Sequence, residues 1–144
     1  MKSLRDITVD ASVPRSATLA ETARAIAATG APVVAVVEDG EVVGLVTADD
    51  VIRGLFPGYL QELEHTAFLT EDALIDRLES SEPSAKHMRD PVTVEIDSGA
   101  AHVAERFLHF DAGGLAVVDQ KRYVGVVSEA DFIRAVLSPL VATE

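Results

Sequence analysis

Apolar and polar positions run through the same order twice. In the stretch "TLAETARAIAATG" the spacing predicts an amphipathic helix bracketed by Thr18 as cap and Gly30 as stop. "PVVAVVEDGEVVGLVT" then reads as two valine-rich strands around Asp39-Gly40, the residue pair that tight hairpins favour because both turn positions need positive φ. Strands so continuously apolar are expected to be covered on both faces. A further helix is predicted to start near Thr47. The second pass begins at "GAAHVAERFLHFD", where Val103, Ala104, Phe107 and Leu108 mark the expected buried stripe. Its strands flank "DQKRY", a less sharply specified turn, and its last helix starts near Ser128.

The two passes are copies of one unit. Gly125 follows Gly44 by 81 residues (125 − 44), and that offset aligns Val13 with Val94 and runs without a gap to Arg53 and Arg134. Each copy reads strand–helix–strand–strand–helix, the first strand being the short extended piece at Val13 or Val94. Neither, at about 50 residues, buries enough surface alone, so the two are expected to pack face to face about a pseudo-two-fold axis. The fold class is therefore α+β: two β-α-β-β-α repeats, residues 1–56 and 84–144, forming one module, with a helical insert or linker at 57–83. Within the insert, Pro57-Gly58 ends the first repeat's last helix and Thr70 caps "EDALIDRLE", whose Leu74, Ile75 and Leu78 share a face.

Both repeats turn the same corner from strand into helix: "GLVTADDVIR" from Gly44 and "GVVSEADFIR" from Gly125. Two readings stay open. Thr/Ser followed three residues later by an acid is a capping box, and Asp50–Arg53 and Asp131–Arg134 are ordinary i, i+3 helix pairs. Alternatively, the glycines inside strands mark close approach by a ligand or another backbone. The helix starts offer N–H groups to an anionic oxygen, and a short fixed carboxylate suits a vicinal diol.

Composition narrows the partners. Acidic residues outnumber basic ones 24 to 12, for a formal charge of −12, which disfavours a nucleic-acid backbone. The absence of cysteine excludes disulfides, thiolate metal sites and thiol nucleophiles. "MKSLRDITVD" has no apolar signal region and no run is long enough to span a bilayer, so a cytoplasmic protein without a membrane partner is expected.

The order of elements, the "VVEDGEVVGLVTADDVIR" block and the "HMRDPVTV" lead-in resemble the CBS domain, named after cystathionine beta-synthase. Two in tandem resemble the CBS pair, or Bateman module, over all but the 54–83 insert. That resemblance implies a regulatory module binding adenosine-containing ligands (AMP, ADP, ATP, S-adenosylmethionine, sometimes NAD) in clefts between the repeats. On it, Asp50 and Asp131 hold ribose hydroxyls, and Thr47 and Ser128 face phosphate or ribose. Ala31 and Val33, with Ala112 and Leu115, line the adenine pocket. Arg53 and Arg134 are candidate phosphate contacts, with Arg15 and Lys86 behind them. The chain departs from the pattern in lacking basic residues just before the second strand. With the net charge, this favours AMP, a neutral nucleoside or magnesium-bound ATP over free ATP. The resemblance also implies a homodimer.

No nucleophile–base pairing, phosphate loop or catalytic carboxylate pair is legible, and no required cofactor is implied. His102, Glu105 and His109 share one helical face, which reads as a solvated face rather than a metal site, and His65 and His87 read as isolated. The reading is a non-enzymatic sensor that modulates a partner in trans, since no effector domain is expected at either end. The alternative is an unliganded structural or dimerisation module.

Overall fold

The computed structural model describes residues 4–56, 82–110 and 113–141, with side chains to 136. The predicted insert helix and its Thr70 cap lie outside these residues.

Each hairpin is built by its turn. Asp39 and Gly40 take φ of 53° and 79°, closing β2 (Val33–Glu38) onto β3 (Glu41–Thr47). In the second repeat Gln120 and Lys121 adopt φ of 49° and 71°, so β5 (Gly114–Asp119) and β6 (Arg122–Ser128) close by the same left-handed turn without a glycine. Val33, Val34, Ala35 and Val36 are consecutive and all fully buried, so β2 is covered on both faces.

A short strand pairs in parallel with each hairpin: β1 (Ser12–Pro14) beside β2, and β4 (Thr93–Glu95) beside β5. The repeat is exact in register. Val13 faces Val36 as Val94 faces Val117, and both hairpins carry an irregularity at the same place, Val36/Val37 and Val117/Val118. The strand order is β1-β2-β3-β6-β5-β4, joined at the centre by the pairing of Glu41 with Arg122 and by Tyr123 N–H donating to Gly40 O at 2.9 Å. The two three-stranded halves also pack against each other, β2 lying on β5 and β6: a Cβ on Gly114 would sit 2.8 Å from Val33 Cγ2, as the expected face-to-face packing of the repeats requires.

The helices follow their caps. In α2 (Leu19–Thr29) the Thr18 hydroxyl accepts from Glu21 N–H, and Gly30 at φ 72° ends the helix by donating to Ile26 O. In α4 (Ala100–His109) Val103 is fully buried with Ala104 and Phe107 packed beside the core. Leu108, expected on that stripe, is instead exposed. It lies about a quarter-turn from the centre of the face formed by the other three. After β3 and β6 come α3 (Ala48–Leu55) and α5 (Glu129–Val141).

The lead-in segments were not anticipated. A single-turn helix, α1 (Leu4–Ile7), precedes Val9, which exchanges both backbone hydrogen bonds with Val126 of the other repeat at 2.9 and 2.8 Å. Arg89 does the same with Leu45, at 2.7 and 3.1 Å. Each repeat thus sends the chain ahead of its first strand across to the other's hairpin. Gly44 and Gly125 make room for these crossings. A Cβ on Gly44 would sit 2.6 Å from Met88 Sδ, and one on Gly125 would sit 2.7 Å from Thr8 Cβ and 3.1 Å from Val9 O. The close approach read from these glycines is by the crossing chain, through the Met88 side chain at Gly44 and through Thr8 and the Val9 carbonyl at Gly125. Tyr123 secures the crossing at Val9. Its hydroxyl accepts from Ala11 N–H and donates to Asp10 Oδ1, and burial pushes its pKa up to about 12.

Candidate functional site

The two strand-to-helix corners have the same backbone and different surroundings. At the first, Thr47 Oγ1 accepts from Asp50 N–H at 3.0 Å while Asp50 Oδ2 accepts from Thr47 N–H at 3.1 Å, a complete capping box. Arg89 then closes on the same carboxylate with both arms, Nε to Oδ2 at 2.9 Å and Nη2 to Oδ1 at 3.0 Å. The Asp50 side chain is only 15% exposed. Burial raises its pKa, but the hydrogen bonds from Arg89 and Thr47 outweigh burial and hold the carboxyl below its ordinary value of 3.8.

At the second corner Ser128 Oγ accepts from Asp131 N–H at 3.0 Å, and Asp131 Oδ1 accepts from Arg134 Nη1 at 2.7 Å. Arg134 reaches it from the exposed side of the same helix, and the Asp131 side chain is 33% exposed. No crossing arginine stands here, because the crossing residue is Val9. Asp131 and Val9 instead border two cavities. A small one of about 30 Å³ is closed by Thr29, Gly30, Ala31 and Pro32 of the first repeat and by Val126 and Ser128 of the second. An open cleft of about 360 Å³ lies between Asp6–Val9 and Asp131, Arg134 and Ala135. The 30–32 loop stands between the corners. Pro32 O accepts from Ala48 N–H at the start of α3, as Gly113 O accepts from Glu129 N–H at the start of α5.

Of the residues picked out by sequence, Ala31, Ser128, Asp131 and Arg134 are gathered at this second corner. Thr47 and Asp50 form the first. Val33 and Leu115 are fully buried inside β2 and β5, where they pack the core, and Ala112 lies outside the described residues. Arg53 pairs with Asp49 at 2.7 Å on the surface. His87 contacts Glu82 at 2.9 Å, and His102 lies 3.6 Å from Glu105 on an exposed face. Two participants were missed, Arg89 and the Thr8–Val9 lead-in. The fixed offset conceals them: Val126 and Leu45 differ by 81 (126 − 45), but their partners Arg89 and Val9 differ by 80 (89 − 9). A one-residue insertion between crossing and strand, Asp90-Pro91 against Asp10, breaks a gap-free alignment there.

The family model for the CBS domain matches residues 4–56 and again 85–138. The chain belongs to the CBS-domain family. Its fold is shared by solved members at low identity. A CBS domain-containing protein from Kribbella flavida matches with a TM-score of 0.72 at 21% identity, covering 96% of this chain and 99% of that one. The CBS domain protein PAE2072 from Pyrobaculum aerophilum, solved with AMP, matches at 0.69 and 21%, over 98% and 99%. CBSX2, also in complex with AMP, matches at 0.67 and 19%, over 96% and 98%. No curated protein matches the chain significantly. The tandem CBS pair expected from the repeat is thereby established, and among the described residues no helix is long and apolar enough to cross a membrane.

Proposed function

We propose that this CBS pair is a regulatory sensor that takes an adenine nucleotide, AMP foremost, at the Asp131 corner. One observation carries the reading. Asp131, at the start of α5, borders the open cleft of about 360 Å³ between the first repeat's lead-in and the second repeat's last helix, and also a small cavity beside it to which Ala31 and Pro32 give an apolar wall. A carboxylate there can accept two hydrogen bonds from the ribose diol, while the wall suits a base. Ser128 and the α5 N-terminus face the sugar or phosphate, and Arg134 lines the larger cleft as a cation for the phosphate. Two neighbours sharing the fold were solved with AMP, which supports the ligand class. A net charge of −12 favours the monophosphate, or a magnesium-bound triphosphate, over free ATP.

A ligand touching both repeats binds tightest in one packing of the halves, and that differential affinity is what a regulated partner would read. Self-association fits the surface: Ile52 and Ile133, equivalent positions on α3 and α5, are 57% and 52% exposed. These helices form the expected homodimer face. The structural-module reading draws on the first corner, where Asp50 is fully engaged in capping and in its ion pair.

Isothermal titration with AMP, ADP, ATP, magnesium-ATP and S-adenosylmethionine tests the proposal. Micromolar binding by at least one, weakened roughly tenfold or more in Asp131→Asn, is expected from the loss of a charged hydrogen-bond acceptor. Binding by none below millimolar leaves only the structural module, and equal binding by the variant removes the Asp131 corner as the site.

A further inference from the structure

Arg89 and Val9 are structural counterparts. Each lies in the lead-in of one repeat, and each forms an isolated antiparallel bridge to the same position of the other repeat's hairpin, Leu45 or Val126. Each therefore passes beside the corner that follows that hairpin. At the first corner this places a guanidinium on Asp50, with two donors matched to its two oxygens. At the second it places a valine beside Asp131, bordering both cavities.

A planar fork donating twice to one carboxylate offers what a vicinal diol offers: two donors at the spacing of two oxygens. We infer that Arg89 is a built-in occupant of the first corner, standing where a ribose would stand, so that the pair binds one nucleotide per chain, at the Asp131 corner alone. The inference rests on the Asp131 reading above. A ligand at the first corner would have to displace two charge-assisted hydrogen bonds from Arg89. At the second corner it displaces, at most, an exposed contact from Arg134. The difference also assigns work. Arg89 ties the second repeat's lead-in to α3 without any ligand, whereas the equivalent tie, between the first repeat's lead-in and α5, is supplied by the ligand that fills the cleft. Nucleotide would thus supply at one corner the cross-repeat bond that protein supplies at the other.

Exchanging the two crossing residues tests this. AMP is titrated calorimetrically into the full chain, into Arg89→Val (with Arg89→Gln as a milder form) and into Val9→Arg, with circular dichroism as a folding control. The expected result is one AMP per wild-type chain, two per Arg89→Val or Arg89→Gln chain, and at least tenfold weaker binding by Val9→Arg. Should Val9→Arg fail to fold, the Arg89 variants decide alone. Two AMP per wild-type chain, or a stoichiometry of one that the Arg89 variants leave unchanged, overturns the inference while sparing the nucleotide reading. Absence of binding by every chain overturns both.

Discussion

Asp50 spends both carboxylate oxygens on protein groups, and its stability contribution is therefore tied to its charge. A carboxyl held below its ordinary value of 3.8 stabilises the fold above that value, and the contribution disappears as pH falls through the lower folded value. Wild-type stability is expected to fall over that acid range by more than that of Asp50→Asn. The two curves should run parallel at neutral pH, as measured by urea unfolding at stepped pH. Parallel curves throughout would mean that Arg89 and Thr47 do not favour the charged form. At the second turn the balance differs. Gln120 and Lys121 both hold positive φ, which side chains resist, so Lys121→Gly is expected to stabilise by up to about 1 kcal/mol in urea unfolding. The Asp39-Gly40 hairpin was legible because its residues announce the turn. Its partner lies in "DQKRY" as expected, but its turn type was not legible, because strand register there overrides residue preference.

Among the elements, the strands and long helices could be read from periodicity, whereas α1 and the two crossings could not. Hydrophobic spacing reports which face of an element is covered. It does not report a two-residue backbone bridge whose partner lies in the other repeat. The strand glycines were the available signal, and they pointed to close approach without naming what approaches. Their substitution separates the two crossings. Gly125→Ala forces a methyl against Thr8 and the Val9 carbonyl and is expected to cost about 1–3 kcal/mol. Gly44→Ala meets the Met88 side chain, which can re-pack, and should cost less. Thermal unfolding of the two variants compares them directly. Equal costs would contradict the account of the second crossing.

At the scale of the whole molecule, duplication made the fold readable and also made the two corners look alike. Composition and spacing treat Thr47/Asp50 and Ser128/Asp131 as the same motif. What separates them is the crossing residue each receives from the other half, Arg89 or Val9, and that depends on tertiary structure. A near-symmetric scaffold thus holds one corner closed by its own chain and one bordering open space.

The central claim is that Asp131 grips a sugar through its vicinal diol. Its most direct measurement is the affinity of AMP against 2′-deoxy-AMP for the wild-type chain and for Asp131→Asn. Loss of one hydroxyl donor to a carboxylate is expected to weaken wild-type binding roughly tenfold or more, and the gap should shrink in Asp131→Asn. Equal affinity of the wild-type chain for both nucleotides would contradict the claim.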